Sequence, residues 1–326
     1  MLTAFKCEGG HPVRLAEPAT VSSLREAVWI DLCEPTEAES AQVSEAAALA
    51  VPTREEVSEI ENSSRLSLRD GVLYLSMPLV RMAPGPRGVP VGFVLSPQRL
   101  ITIRFATSTV FDTYATHMPR GETPSESGGH ILVGLLEAIV DRQADVLEKI
   151  QTDLDRISHR VFSLGGRRGA GRKFEDRVLR ETLVELGHIG DLIGYIRESQ
   201  LGAARIVPFV DAHSAGWLSS GLHTRLHTLR DDIASISDYD NHLNDKLQFL
   251  LDATMGFINI AQNDLIKVMT IASVVGIPPV MVVGLYGMNF KNIPEYDWVW
   301  GYPYAWAMII LTTLLPLALF RWRKWI

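Results

Sequence analysis

Cysteine is nearly missing from this chain: Cys7 and Cys33 are the only two among 326 residues, and they form no CxxC pair. That excludes a zinc ribbon, a redox couple and a disulfide framework, leaving two ordinary reduced thiols. The N-terminus, MLTAFKCEGGHPVRL, lacks a basic stretch followed by an apolar run. No signal peptide is therefore expected, and the bulk of the protein is expected to stay where it is made. Hydrophobic residues amount to 47%, near the globular average, which excludes a polytopic carrier dominated by lipid-facing helices. Enzyme signatures are missing too. The Gly/Arg stretch 165–172 has no preceding strand and no GK[ST] ending, so it reads as a basic loop, not a phosphate cradle. Asp231-Asp232 has no second acid at DDxxD spacing, and no Ser–His–Asp or Cys–His arrangement has local support. No enzyme and no cofactor are expected.

Charge of one sign dominates most of the chain. The net charge is −7, yet the last six residues, RWRKWI, carry three positive charges. Lys267, Lys291, Glu295 and Asp297 cancel, which leaves −10 on residues 1–266. An acidic soluble part argues against nucleic acid as a partner and favours a cation-attracting field.

What the sequence does have is concentrated in its final sixty residues. Val268–Leu285 is 18 residues without a charge, and Tyr304–Phe320 is 17 more. A bilayer core of about 30 Å needs roughly 17–25 such residues as helix. The intervening 286–303 is rich in Gly, Pro, Tyr and Trp, as suits an interfacial loop. Arg321, Arg323 and Lys324 follow the second run and Lys267 precedes the first. The positive-inside rule then predicts both termini in the cytoplasm, the loop outside, and lipid as a partner.

The remainder divides by periodicity. Residues 1–110 carry strand-like runs at Val28–Leu32, Val72–Val80, Val91–Leu95 and Leu100–Arg104, with turns at Arg69-Asp70-Gly71 and 84–88. Thr36 and Glu39 form a capping box that opens a helix. This predicts a small α/β domain. Residues 111–214 read as a helical region. Leu136, Ile139, Val140, Val146, Leu147, Ile150, Leu154 and Ile157 mark one apolar face, and a second helix spans Lys173–Glu198. A third helix starts near Ala215, and no Pro interrupts the 69 residues between Pro208 and Pro278. A helix of about 60 residues rises roughly 90 Å and needs neighbours, so 215–267 is predicted to be an oligomeric stalk. The expected fold is an α/β N-terminal cytoplasmic domain, a long α-helical stalk and two C-terminal transmembrane helices (268–285 and 304–320), with a basic tail at 321–326.

Directly after the first apolar run stands Tyr286-Gly287-Met288-Asn289-Phe290. At that place this motif resembles the signature of the CorA magnesium-transporter family. Asn263, Lys267 and Thr270 before it, Pro278 within the helix and Ile293-Pro294-Glu295 after it fit the same resemblance, as does the early Trp29-Ile30-Asp31-Leu32. The resemblance implies a homopentamer in the cytoplasmic membrane whose first membrane helices line a pore. It further implies ion selection at Gly287, Met288 and Asn289. Magnesium sheds water reluctantly, and the neutral amide of Asn289 suits an ion that keeps its water. Gly287 is expected to permit a sharp turn at the helix end.

Stepping back along the helix by three or four residues gives a candidate pore face: Gly284, Val280, Ile277, Ser273, Thr270, Met269, Ile266 and Asn263. Ile266 and Met269 match the family's apolar constriction. Val280 stands where many relatives place a hydroxyl, and Pro278-Pro279 are paired, so the middle of this pore is expected to be drier. Asp231, Asp232, Asp238, Asp240, Asp245 and Asp252 are expected to enrich cations near the stalk, or simply to form a solvated face. The transported ion is expected to be magnesium, with cobalt or nickel also carried. Two alternatives stand beside this. His223 and His227 have the i,i+4 spacing of a zinc pair, which keeps open a zinc transporter of the related ZntB branch, although that branch often replaces the Met of GMN. The alternative from another class is a non-conducting membrane-anchored scaffold or sensor.

Overall fold

The computed structural model describes all of the chain except residues 9–10, 16–19, 60, 62–64, 83–84, 119–126, 166–171, 290–292 and 324–326. Phe290, Lys291, Lys324 and most of the Gly/Arg stretch thus lie outside the described residues. The chain opens on β1 (Leu2–Glu8), β2 (His11–Arg14), α1 (Val21–Leu24), β3 (Ala27–Cys33), α2 (Glu37–Ala47) and α3 (Arg54–Ser58). Next come β4 (Leu66–Arg69), β5 (Val72–Arg81), β6 (Arg87–Leu95), β7 (Leu100–Arg104) and α4 (Thr109–His117). Three long helices follow, α5 (Gly128–Gly165), α6 (Arg172–His213) and α7 (Ser220–Tyr286), and the described chain closes on α8 (Gly301–Trp322). Two compact units result: Met1–Arg160 with Leu183–Leu250, and Val161–Thr182 with Leu251–Ile326.

The first unit is built on one seven-stranded sheet of order β2-β1-β3-β7-β6-β5-β4. Its one parallel pairing, β3 with β7, joins segments 67 or more residues apart, with Trp29 opposite Leu100 and Cys33 opposite Arg104. Every other neighbouring pair is antiparallel. The β4–β5 hairpin turns on Asp70 (φ 50°) and Gly71 (φ 76°). Two successive positive φ values are what a two-residue turn matched to strand twist requires, and Gly meets the second without Cβ strain.

Both faces of the sheet are covered. Trp29, Leu73, Leu75, Met77, Phe93, Leu95 and Leu100 join Leu132, Leu136, Val207 and Leu226 in one core. Ile30, Leu32, Val94, Ile101 and Ile103 join Leu24, Val43 and Ala46 in another. Alternation along β3 and β7 sorts the side chains: 29 and 100 face the long helices, while 30, 32, 101 and 103 face α1 and α2. The eight apolar residues predicted along α5 are all buried. The three short helices α1, α2 and α3 each begin with a capping box, at Thr20, Thr36 and Thr53. At Thr36 the backbone N–H donates to Glu39 Oε2 (2.8 Å), and the Glu39 N–H donates to Thr36 Oγ1 (3.2 Å).

One helix extends well beyond the sequence expectation. The second long helix was predicted to end at Glu198, but α6 continues to His213 through Pro208. Burial of Ala203, Ile206, Val207 and Val210 outweighs the backbone hydrogen bond that the proline cannot donate. The stalk and the first apolar run are one element, since α7 is a single helix of 67 residues with Pro278 and Pro279 inside it.

In the second unit, the Phe162 and Phe257 rings meet edge to face at 6.1 Å. Among the described residues, two helices, α7 and α8, are long and apolar enough to cross a membrane, and neither has any of its most apolar stretch buried within the protein. Such apolar surface needs lipid or other protein copies against it. On α8 the threonine hydroxyls are satisfied internally: Thr312 donates to the Met308 carbonyl and Thr313 to the Ile309 carbonyl, both at 2.7 Å. That is how a hydroxyl is accommodated in a segment without water.

Candidate functional site

The candidate site is the C-terminal half of α7 and the residues that leave it. All eight residues of the proposed pore face, Asn263, Ile266, Met269, Thr270, Ser273, Ile277, Val280 and Gly284, are exposed. At about 100° per residue they occupy roughly a third of the helix circumference. The half-buried positions of the same segment include Asp264, Ile271, Val275, Pro278, Val282 and Tyr286, and by the same geometry they centre on roughly the opposite side. The helix therefore has one face used within the protomer and another left open. The open face is largely apolar, with Ile266 61% and Met269 71% exposed. Its Thr270 hydroxyl donates to the Ile266 carbonyl at 2.8 Å. That uses up the hydroxyl's proton and leaves Oγ1 as an acceptor, the polarity a cation requires.

The helix ends at Tyr286. The Gly287 N–H still donates to the Val283 carbonyl (2.9 Å) and Met288 N–H to the Leu285 carbonyl (3.3 Å). Gly287, Met288 and Asn289 are all exposed. The expected sharp turn at Gly287 is not made by a left-handed backbone, since among the described glycines Gly71 alone has positive φ. Space distinguishes the position instead: a Cβ there would lie 3.1 Å from the Val283 carbonyl oxygen. Beyond the motif, Pro294–Asp297 forms a short 3-10 turn. Gly301 opens α8 where a Cβ would collide with the Glu295 carbonyl oxygen. Lys267, one of the charges used to assign orientation, lies 3.6 Å from Asp264.

The other sequence candidates, Asp252 excepted, fall in the first unit. His223 Nδ1 lies 2.6 Å from Asp211 Oδ1, and His227 Nε2 lies 3.9 Å from Asp211 Oδ2. So the i,i+4 pair does meet a carboxylate from α6, a partner that spacing within α7 does not reveal. Among the described residues, no group of three or more His, Cys, Asp or Glu is arranged to hold a metal ion. Asp240 departs from its expected role on a solvated acidic stalk. It is 1% exposed and accepts a 2.8 Å hydrogen bond from Arg197 Nε. Burial holds its carboxyl above the usual carboxylate range, with Arg197 opposing. Periodicity predicted a helix here but not which acid turns inward, because Arg197 is 43 residues away.

Known proteins supply the comparison. The family model described as CorA-like Mg2+ transporter protein matches residues 25–323. Magnesium transport protein CorA of Salmonella typhimurium is 32% identical over 328 residues, covering all of both chains. The protein of the same name from Escherichia coli strain K12 is also 32% identical over the full length of both. In fold, the chain is similar to the complete CorA magnesium transporter of Methanocaldococcus jannaschii, with TM-score 0.75 at 16% identity, covering 100% of this chain and 99% of that one. It is also similar to the full-length CmaX protein, with TM-score 0.70 at 17% identity, covering 100% and 98%. With the family matched across nearly the whole length, this chain belongs to the CorA-like Mg2+ transporter family and is a divalent-cation transport protein, not an enzyme.

Proposed function

We propose that this protein conducts hydrated Mg2+ through a pore lined by α7 from several copies of the chain, a homopentamer, with Gly287, Met288 and Asn289 at its outer mouth. The observation that carries the reading is the division of α7 into a half-buried face and an opposite, fully exposed face holding every proposed pore residue. One protomer with two membrane helices cannot enclose a channel, so the open face calls for further copies of itself. The magnesium in the names of the full-length relatives supports Mg2+ as the ion.

Asn289 offers an amide oxygen without a formal charge. A ring of such groups holds a dication through its retained water and releases it, where a ring of carboxylates would hold it longer. Ile266 and Met269 form an apolar narrowing further along, suited to gating by loss of water. Both termini lie in the cytoplasm on this reading, with 286–303 outside and 1–110, 111–214 and 215–267 inside. No nucleotide is needed, because a dication entering at 100 mV inside negative gains about 4.6 kcal/mol.

The test is ion flux into proteoliposomes under an inside-negative potential, offering magnesium, cobalt, nickel and zinc separately. Magnesium entry that Asn289→Ala abolishes is the expected result. Zinc entry with little magnesium would transfer the protein to the zinc branch. Absence of any flux from inserted, oligomeric protein would establish the scaffold reading instead.

A further inference from the structure

Within the first unit α7 carries a groove along each flank, and neither groove holds a residue of the proposed pore face. Between α5 and α7 lies one of about 700 Å3, floored by Ala144, Leu147 and Ile236 and edged by Glu148, Asp155 and Tyr239. Between α6 and α7 lies one of about 430 Å3, floored by Ala204, Ile233 and Ala234 and edged by Arg197, Leu201 and Arg230. Three relationships between the two grooves define what fills them.

Charge is the first. The α5/α7 groove has an acidic edge and no cation in its wall. Lys246 reaches Asp155 at 2.6 Å, but the acids continue along the same seam. Asp141 stands seven residues, or about two helical turns, before Glu148. Burial, with the Glu137, Asp145 and Asp232 carboxylates adding to it, pushes the Asp141 carboxyl up. This flank is short of positive charge. The α6/α7 groove is the reverse, with two arginines and no carboxylate in its wall. Arg197 pairs with the buried Asp240. Arg230 makes an exposed contact with Asp231 at 3.7 Å, which is worth little.

Surface chemistry is the second. Leu201 stands 50% exposed at the edge of the basic groove, and a half-buried tyrosine, Tyr239, edges the acidic one. Apolar floors with arginine and tyrosine beside them and a polar surround are the make-up of a protein–protein interface.

Position is the third. Both grooves draw on the same stretch of α7, residues 230–241 in one and 235–239 in the other. At about 100° per residue, Arg230, Ala234, Ser237 and Asn241 centre on one side of the helix, and Ser235 and Tyr239 on roughly the opposite side. Copies related by rotation about an axis along α7 meet at equal heights and through two different surfaces. These two surfaces are equal in height and opposite in charge.

We propose that copies of this chain join head to tail through the two grooves, the Arg230 and Arg197 edge of one protomer lying against the Glu148 and Asp155 edge of the next. The proposal rests on the homo-oligomeric reading above and adds to it the subunit interface. Such a joint is heterologous, so it closes into a ring instead of stopping at a dimer.

The test uses full-length protein in detergent, with Cys7→Ser and Cys33→Ala removing the native thiols. Arg230→Cys and Glu148→Cys are introduced together and separately, each variant checked for an unchanged circular dichroism spectrum. A short bis-maleimide is the probe, because side chains that reach out to pair leave their backbones farther apart than the about 7 Å a disulfide spans. The double variant is expected to lose most of its monomer band to a ladder whose top rung counts the protomers in the ring. Either single variant is expected to stay monomeric on the same gel, since a head-to-tail joint does not set a residue against its own copy. In otherwise native protein, Arg230→Glu is expected to lower the temperature at which the oligomer dissociates, and added Glu148→Lys to restore most of that loss. An oligomer by light scattering that yields no ladder overturns this interface and leaves the pore reading standing; a monomer by light scattering overturns both. Cross-linking of the Glu148→Cys variant alone also overturns it, and would set the acidic flanks against each other, as a shared cation requires. Equal losses from Arg230→Glu with and without Glu148→Lys overturn the pairing as well.

Discussion

Asp31 and Arg104 meet across the parallel strands β3 and β7, with Arg104 Nη2 donating to Asp31 Oδ2 at 2.9 Å and both side chains buried. The register explains the encounter. Asp31 pairs with Thr102, and Arg104 is the next residue on the same face. Thr102 donates to Asp31 Oδ1 at 2.7 Å and accepts from the Trp29 indole at 3.1 Å, so the carboxylate is held from two directions. On its other side Arg104 reaches Asp112 of α4 at 2.9 Å, which ties the sheet to the helix that follows it.

Breaking this pair should be far more damaging than replacing it. Asp31→Ala leaves a buried guanidinium whose other partner, Asp112, is exposed; loss of one member of such a pair costs about 3–5 kcal/mol. Asp31→Leu combined with Arg104→Met should recover much of that, because two apolar groups need no partners. Urea unfolding followed by circular dichroism compares the two. Equal destabilisation by the single and the double replacement would show that the pair does more than satisfy its own charges.

How far the fold is legible in the sequence depends on where each segment sits. β5, β6 and β7 stand out because they combine β-branched residues with turns on either side. β1 escapes notice for a physical reason: the sheet is covered on both faces, so adjacent Ala4 and Phe5 are both buried and the alternation that marks a half-exposed strand is lost. β2 and β4, four residues each at the sheet's two edges, are too short to establish a period. Within the candidate site, the motif and the open face of α7 follow from spacing along one helix. Asp211 beside His223 and Arg197 beside Asp240 do not, because those partners meet only when α6 and α7 pack.

That second pair has an asymmetry of its own. Asp240 is buried and Arg197 is 41% exposed, so each loses something different when the other is removed. Arg197→Ala strands a carboxylate whose Oδ1 already lacks a partner, and should cost about 3 kcal/mol. Asp240→Asn keeps an acceptor for Arg197 and removes the charge that burial disfavours, so its cost should stay within about 1 kcal/mol. Urea midpoints of the two variants test this. Asp240→Asn proving the more damaging would mean that the ionised pair is needed.

Tyr114 should make the protein sensitive to alkali. Burial pushes its phenol from 10.0 up to about 12, with Glu137 adding to the shift and Arg225 opposing it. The sign follows from linkage: a raised folded-state pKa means that the fold favours the protonated phenol. The resulting stability is complete below about pH 10 and is lost as pH rises through about 12, and two units correspond to about 2–3 kcal/mol. Tyr114→Phe removes the titrating group, so its unfolding free energy should fall less steeply than the wild type's between those limits. Parallel curves for the two proteins would place the alkaline sensitivity elsewhere.

The sharpest prediction for transport compares the two faces of α7. Ile266 and Met269 lie on the open face, where copies of the helix around a pore would bring their side chains into a ring. An apolar ring narrow enough to exclude water obstructs a hydrated dication, and a hydroxyl admits water again. Met269→Ser should therefore raise potential-driven magnesium flux several-fold, and Met269→Phe should lower it. Ile271, two residues further on, is half-buried on the opposite face. Ile271→Ser makes a comparable loss of apolar volume, yet places the hydroxyl against protein, so it should destabilise the protein without raising flux. The measurement is magnesium entry per reconstituted oligomer, with thermal stability recorded for each variant. Increased flux from both serine variants would signal a general loosening of the membrane helices. Increased flux from Ile271→Ser alone would put the pore on the half-buried face and invert the proposed orientation of α7.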